Sequence, residues 1–164
     1  MLLTTTIVAN IVAQSDKSQR KSPPVQVKQE IDNVMITIDY SSPRANGREL
    51  FGGLVPYNEV WRTGANEATT ITVSQDVRIN NQELKVGTYA LFSIPGAQEW
   101  TILFNSVSDQ WGAYDYDASK DALKVITTVE SKDDYTNEFS IDFNDGGFVI
   151  SWGNVEVPVA VSAI

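Results

Sequence analysis

The stretch TYALFSIPGAQEWTILFN, residues 88–105, decides the fold. Apolar side chains recur at every second position of both halves, and the joining PGAQ is typical of a tight turn. In the first half, Ala90, Phe92 and Ile94 share one face, and Tyr89, Leu91 and the polar Ser93 share the other. In the second half, Trp100, Ile102 and Phe104 share one face. Because strand side chains alternate between two faces, this pattern predicts a β-hairpin. Its first strand is apolar on both faces, so we expect it to lie inside a sheet.

The same period-two pattern continues on both sides of this hairpin. It predicts inward positions at Val34, Ile36, Ile38 and Tyr40, at Ile71 and Val73, at Val125, Thr127 and Val129, at Phe139, Ile141 and Phe143, at Phe148, Ile150 and Trp152, and at Val155, Val157, Val159 and Val161. The sequence NDGG at residues 144–147 tolerates positive φ, as a hairpin turn requires. Pro158 lacks a backbone donor, which favours an edge strand or a bulge at that position.

These strands predict the fold class. Eight or nine short strands separated by frequent turns indicate an all-β protein built as an antiparallel β-sandwich, either jelly-roll-like or a flattened barrel. One or two short helical turns are expected, around residues 48–51 and 119–123. No repeat of 20–50 residues and no phosphate-binding glycine pattern is present, and no cofactor is implied.

Composition restricts the possible functions. The chain has 164 residues with a formal net charge of −9, so a single compact domain that repels nucleic acid and anionic membranes is expected. It contains neither Cys nor His, which excludes disulfides, thiolate chemistry, imidazole metal ligands and catalytic Ser–His pairs. Any catalysis would depend on Asp, Glu, Lys, Tyr or Arg.

The N-terminal segment predicts export. The apolar run from Leu2 to Ala13 is too short for a stable membrane span but has the length of a signal-peptide core, with Ala13 as a cleavage position. The alternative is a β-prone tail that adds a strand to a neighbouring subunit. We therefore divide the chain into a signal remnant or tail over 1–13, an extended linker over 14–24 containing Pro23 and Pro24, and one sandwich domain over 25–164. A periplasmic or extracellular location is expected.

Three stretches resemble a known family. YSSPRANGRELFGGLVPYNEVWRTGANEATTI (40–71), LKVGTYALFSIPGAQEWTILFN (84–105) and QWGAYDYDASKDALKV (110–125) are similar to the bacterial domain of unknown function 2911 family. The resemblance covers about residues 25–152. It implies a secreted or periplasmic all-β domain, and it implies no biochemical activity.

The connection at residues 51–71 contains several aromatic, charged and amide side chains in a short stretch. One interpretation is structural: Trp61 packs on the end of the sheet, and Arg62 forms an ion pair with Glu67 that fixes the loop. The other is a ligand-binding cleft, because loops on a rigid scaffold carry binding groups, arginine suits a carboxylate or sulfate, and aromatic rings suit a sugar. The candidate ligand-binding residues are Arg44, Arg48, Tyr57, Trp61, Arg62, Asn66, Glu67 and Trp111.

The stretch QWGAYDYDASKD, residues 110–121, offers a candidate metal site. Asp115, Asp117 and Asp121 have the alternate spacing of the first calcium-loop ligands, but Lys120 and Ile126 occupy the positions that need Gly and Glu. An EF-hand is therefore rejected, and only a looser calcium site is possible. The competing interpretation is that Asp117 caps a short helical turn while Trp111 and neighbouring tyrosines cover the sheet edge.

Three functional hypotheses follow. The first is a non-catalytic module that binds carbohydrate or another small polar ligand. The second is an assembly subunit of an extracellular polymer whose N-terminal segment acts as a donor strand. The third is a hydrolase that uses two carboxylates among Glu67, Asp115 and Asp117.

Overall fold

A computed structural model describes residues 16–164, so residues 1–15, which carry the predicted export signal or tail, lie outside the described part. The elements in order are a 3-10 turn Lys17–Gln19, β1 Pro24–Ile31, β2 Val34–Ser41, β3 Thr70–Val73, β4 Val77–Ile79, β5 Gln82–Leu84, β6 Gly87–Ile94, β7 Glu99–Asn105, a 3-10 turn Ala118–Lys120, β8 Asp121–Thr128, β9 Glu130–Asn144 and β10 Gly147–Ala163.

The strands form two packed antiparallel sheets. One has six strands in the order β1-β2-β3-β6-β7-β8, and the other has four in the order β5-β4-β10-β9. Consecutive strands in each sheet pair in antiparallel register. The predicted all-β antiparallel sandwich is therefore confirmed. Over residues 16–164 the sheets do not close, so the sandwich forms rather than the flattened barrel.

The hairpin of residues 88–105 is the β6–β7 pair, with Ala90 opposite Asn105 and Ile94 opposite Thr101. As predicted, β6 is interior, because it also pairs with β3. Its two faces lie in two separate cores. Leu91 belongs to the main core between the sheets, whereas Phe92 belongs to a smaller core on the outer face. The β2–β3 connection and the segment after β7 supply that core with Ala68, Val60, Ala113 and Tyr116.

The last strand doubles back on itself. Val161 N donates to Gly146 O at 2.9 Å. Fifteen residues of straight strand would separate these groups by roughly 50 Å, so β10 must turn sharply, and Gly153 has a φ of +61° where it bends. The C-terminal end of β10, Val161–Ala163, pairs with β4. Pro158 lies outside that ladder, which suits its missing donor.

Both 3-10 turns have the same cap. Asp16 and Asp117 accept hydrogen bonds from the backbone N of Ser18 and Ser119 at 3.0 and 2.9 Å, which satisfies a free amide at each turn. The second turn overlaps the predicted region 119–123. Residues 48–51, the other predicted helical turn, are not helical; they lead into a turn in which Leu54 N donates to Glu49 O at 2.9 Å and Val55 N to Leu50 O at 2.8 Å. No helix in residues 16–164 has the length and apolarity to cross a bilayer.

Candidate functional site

The long connection between β2 and β3, residues 42–69, carries most of the candidate residues and is tied firmly to β6. Trp61 and Ser93 exchange two backbone hydrogen bonds, of 2.7 and 2.9 Å. The buried hydroxyl of Thr63 lies 2.9 Å from that of Ser93, and Thr69 Oγ1 donates to Thr63 O at 2.6 Å. Because its polar groups are paired internally, this connection is a rigid support for the side chains around it.

Trp61 is a core residue. It is only 9% exposed. Its ring packs among four other aromatic rings whose centroids lie 5.4–6.1 Å away, namely Phe51, Trp100, Phe139 and Trp152. Trp152 is stacked almost parallel on it, at an interplanar angle of 11°. The broad faces of Trp61 are thus occupied by protein, which agrees with the structural interpretation of this residue.

Arg62 lines a cleft beside this cluster. The cleft has a volume of about 370 Å³ and is lined chiefly by Arg48, Glu59, Trp61, Arg62 and Trp152; we call it the Arg62 cleft. Arg62 Nε is buried and has no hydrogen-bond partner among residues 16–164. Burial lowers the pKa of Arg62, an effect that the phenol of Tyr114 partly opposes.

The other two arginines of the candidate set bind to groups of the protein itself. Arg48 Nε donates to Ala45 O at 2.9 Å, and its Nη2 donates to Arg44 O at 2.6 Å. Arg44 forms an exposed ion pair with Glu138 at 2.6 Å. Arg48 lines the cleft but two of its nitrogens already donate to backbone carbonyls, so Arg62 is the arginine best placed to receive a ligand there.

Glu67 does not pair with Arg62. Its carboxylate accepts from Lys17 Nζ at 3.0 Å and from Arg20 Nη1 at 2.7 Å, and Arg20 also lies over the ring of Trp111, 5.8 Å from its centroid. Burial alone would raise the pKa of Glu67, but the hydrogen bonds from Arg20 and Lys17 outweigh it and lower the pKa to about 2. The expected Arg62–Glu67 ion pair is therefore replaced by contacts with residues of the predicted linker.

Asn66 also contacts the segment that contains Lys17 and Arg20. Its Nδ2 donates to Ser22 O at 3.1 Å, and its own backbone has a φ of +58°, which asparagine tolerates better than most residues. Residues 17–22 are thus attached to the loop at both Glu67 and Asn66. The sequence signal for this docking was the basic character of the segment ahead of an acidic domain.

A second cleft opens beside Glu67. It has a volume of about 360 Å³, and its charged lining residues are Lys17, Asp39, Glu67 and Asp109. Glu67 is already paired, and Asp39 accepts from Gln26 Nε2 at 2.6 Å. Because these carboxylates already have partners, the cleft beside Glu67 is a weaker candidate for a ligand site than the Arg62 cleft.

The remaining candidates do not line the Arg62 cleft. Tyr57 lies over Gly52, where an added Cβ would come within 2.9 Å of the tyrosine ring. Trp111 is exposed at the rim of the Glu67 contacts and bridges to Glu67 through its backbone. The predicted set is therefore divided between the Arg62 cleft, the Glu67 contacts and separate surface positions.

The three calcium candidates have other partners or none. Asp117 caps the 3-10 turn, and Asp121 accepts from Asn105 Nδ2 at 2.9 Å and from the hydroxyl of Tyr116. Burial, followed by that hydrogen bond, raises the pKa of Tyr116. Asp115 is exposed. Within the described part of the chain, no group of three or more acidic residues is arranged to hold a metal ion.

We expect Glu67→Gln to lower the free energy of unfolding by about 1 kcal/mol at pH 7, a small value because Glu67 is partly exposed and solvent screens both ion pairs. The folded-state pKa of Glu67 lies below its ordinary 4.5. Its contribution is therefore complete above pH 4.5 and is lost as the pH falls through about 2. Urea unfolding of both proteins at pH 7 and near pH 2 measures this.

The control is Glu138→Gln, which removes one exposed ion pair with Arg44. We expect a loss below about 0.5 kcal/mol there. A Glu67→Gln protein that matches wild type at pH 7, or a difference that persists unchanged near pH 2, would contradict the assigned contacts.

The fold and this loop define a class of protein: an open two-sheet β-sandwich with a rigid connection that borders a partly buried arginine cleft. The chain belongs to the family described as protein of unknown function (DUF2911), whose model matches residues 22–161. This match confirms the resemblance found in the sequence. No curated protein and no solved structure matches the chain.

Proposed function

We propose that this protein is an exported, soluble, non-catalytic binding module, periplasmic or extracellular, whose Arg62 cleft takes a small polar ligand bearing a carboxylate or sulfate. Ligand sites are typically concave, largely apolar and furnished with a few polar groups on loops that a scaffold holds rigid. The Arg62 cleft has this character, because it combines two tryptophans with charged side chains on the connection fixed to β6.

The observation that carries the proposal is the unpaired Nε of Arg62. Removing a charged donor from water without giving it an acceptor costs free energy, and protein cations in such positions are normally paired. Within residues 16–164 no carboxylate forms an ion pair with Arg62. An incoming oxyanion would pair with the accessible part of the same guanidinium, which has no ion-pair partner within residues 16–164 and a planar geometry that suits a carboxylate or sulfate.

The rest of the cleft restricts the ligand further. Glu59 also lines it, so a second negative charge inside the cleft would be repelled, whereas hydroxyl groups could donate to Glu59. Exposed Leu54 contributes apolar surface at the same place, whereas Trp61 and Trp152 line the cleft but are almost fully buried. A ligand that places one carboxylate and several hydroxyl groups inside the cleft fits this combination best.

Arg62→Gln should abolish most of the ligand response. We expect galacturonate to change the tryptophan fluorescence of the wild-type protein, because Trp61 and Trp152 line the cleft, and we expect the substitution to weaken binding at least about tenfold. Without ligand, the free energy of unfolding should stay equal or rise, since the substitution removes a partly buried cation without an ion-pair partner.

Arg78→Gln is the matched control, because it removes the same charge from an exposed position on β4. Binding should survive it. Sulfate and succinate test other anions, with weaker binding expected for the dianions because of Glu59. A wild-type protein that responds to none of the three, or equal binding by wild type and Arg62→Gln, would refute the proposal. So would a clear loss of stability in ligand-free Arg62→Gln, since that would indicate an internal partner.

The geometry favours the two alternatives less. A carboxylate whose pKa is about 2, as at Glu67, stays ionised at neutral pH and cannot act as a general acid there. For strand addition, β1 is an edge strand, but its exposed Lys28 and Glu30 are charges of the kind that discourage pairing. The mass of the native chain tests export: a mature start at Gln14 supports it, and retention of residues 1–13 contradicts it.

A further inference from the structure

Among residues 16–164, Tyr114 is the most exposed of the large apolar and aromatic side chains, with 86% of its surface accessible. Gly112 has a φ of +63°, and a Cβ there would lie 2.9 Å from Tyr114 Cε2 and 3.0 Å from Cδ2. The tyrosine ring therefore rests against bare glycine backbone. Only glycine leaves room for this arrangement, and the ring is presented to solvent in a fixed place.

The turn that carries Tyr114 is docked on the Arg62 loop. Gly112 N donates to Asn66 O at 3.0 Å, and Trp111 bridges to Glu67. Tyr114 lies near enough to Arg62 that its ionised phenol would raise the pKa of the guanidinium. An exposed aromatic ring and a partly buried guanidinium thus lie on two loops that these backbone hydrogen bonds join.

Tyr114 is a better platform for a ligand than its neighbour Trp111. Arg20 lies over the ring of Trp111 and engages one of its faces. Tyr114 has no side-chain hydrogen bond and no aromatic partner among residues 16–164. A ring with an open face and an amphipathic body suits the C–H face of a sugar, which is apolar, while hydroxyl groups of the sugar remain in water.

We propose that the ligand is an acidic saccharide, an oligomer of uronic acid residues, with one carboxylate at Arg62 and an adjoining sugar ring stacked on Tyr114. This inference rests on the proposed function, since it assigns the ligand class of the Arg62 cleft. A single sugar would use Arg62 alone, whereas a chain of two or three would reach both groups. Binding should therefore strengthen with chain length, and it should require the charge.

Titration calorimetry with galacturonate, trigalacturonate and methyl-esterified trigalacturonate tests this. We expect trigalacturonate to bind wild type at least about fivefold more tightly than the monomer, and the ester, which has the same rings without charge, to bind at least about tenfold more weakly than trigalacturonate. Tyr114→Ala should lose the gain from chain length but keep the affinity for galacturonate. Tyr114→Phe, which keeps the ring, should bind as wild type does.

Tyr135→Ala is the matched control, because Tyr135 is a tyrosine 53% exposed on β9, in a different sheet. It should leave all affinities unchanged. If trigalacturonate binds no tighter than galacturonate, or if Tyr114→Ala binds it as wild type does, the saccharide inference fails while the monomer response still supports the Arg62 cleft. If no anion binds to the wild-type protein, both proposals fail.

Discussion

Trp61→Ala is expected to lower the free energy of unfolding by about 3–5 kcal/mol, one of the two largest effects of a single substitution that we predict. The side chain is nearly buried, and its ring is in contact range of aromatic residues from both sheets and from its own connection. Alanine would leave a large cavity among rigid rings, which can collapse only in part. Urea unfolding followed by circular dichroism measures the loss.

Trp111→Ala makes the same chemical change at an exposed position and serves as the control. Within residues 16–164 its ring is more than half exposed and stacks with Arg20, so we expect a loss of about 1 kcal/mol or less. Equal losses for the two variants would show that Trp61 is not a core residue. That outcome would return Trp61 to the list of side chains available to a ligand.

The alternating pattern was sufficient to predict the sandwich because burial in this fold follows it closely. Ile36, Ile38 and Ile141 were placed inward from the sequence, and all three are fully buried. The same rule identified β6 as interior, since an edge strand or a half-solvated strand would not be apolar on both faces. Alternation with period two shows which face of the sheet each side chain is on, and this assignment holds even where the ends of a strand are placed incorrectly.

What the pattern could not give is the pairing of distant segments. The expected partner of Glu67 was Arg62, five positions away, because charge and proximity in sequence were the only guides. The structure uses Lys17 and Arg20, which are 50 and 47 positions away. Such contacts depend on how the β2–β3 connection lies on the sheet, and polar loop residues carry no periodic signal that fixes this.

The structure brings only part of the predicted candidate residues together in one cleft, for the same physical reason. Arg48, Trp61 and Arg62 share one cleft, but Tyr57 and Trp111 lie elsewhere. Aromatic residues on loops look alike in a sequence whether they fill a core or face solvent. Tyr114 is an example in the opposite direction. It was among the tyrosines predicted to cover a sheet edge, but in the structure its ring is exposed to solvent and lies next to Gly112.

The second large effect is expected at Gly147, in the turn between β9 and β10. Gly147→Ala should lower the free energy of unfolding by about 3 kcal/mol or more. An alanine Cβ would lie 2.0 Å from Val159 O and 2.8 Å from Val161 N, and both are backbone atoms that cannot rotate away. The φ of +151° adds strain for any residue with a side chain.

Gly146→Ala provides the closest possible control, because the neighbouring glycine has a negative or extended φ and its nearest atom to an added Cβ is Asn144 Oδ1 at 3.9 Å. We expect a change within about 1 kcal/mol, with slight stabilisation allowed by the loss of unfolded-state entropy. The contrast follows directly from the bend in β10. If β10 ran straight, residues 159–161 would be far from the turn, and only the backbone strain at Gly147 would distinguish the two variants. Equal unfolding midpoints for the two variants would therefore refute the doubled strand, and with it the path by which the C-terminal residues reach β4.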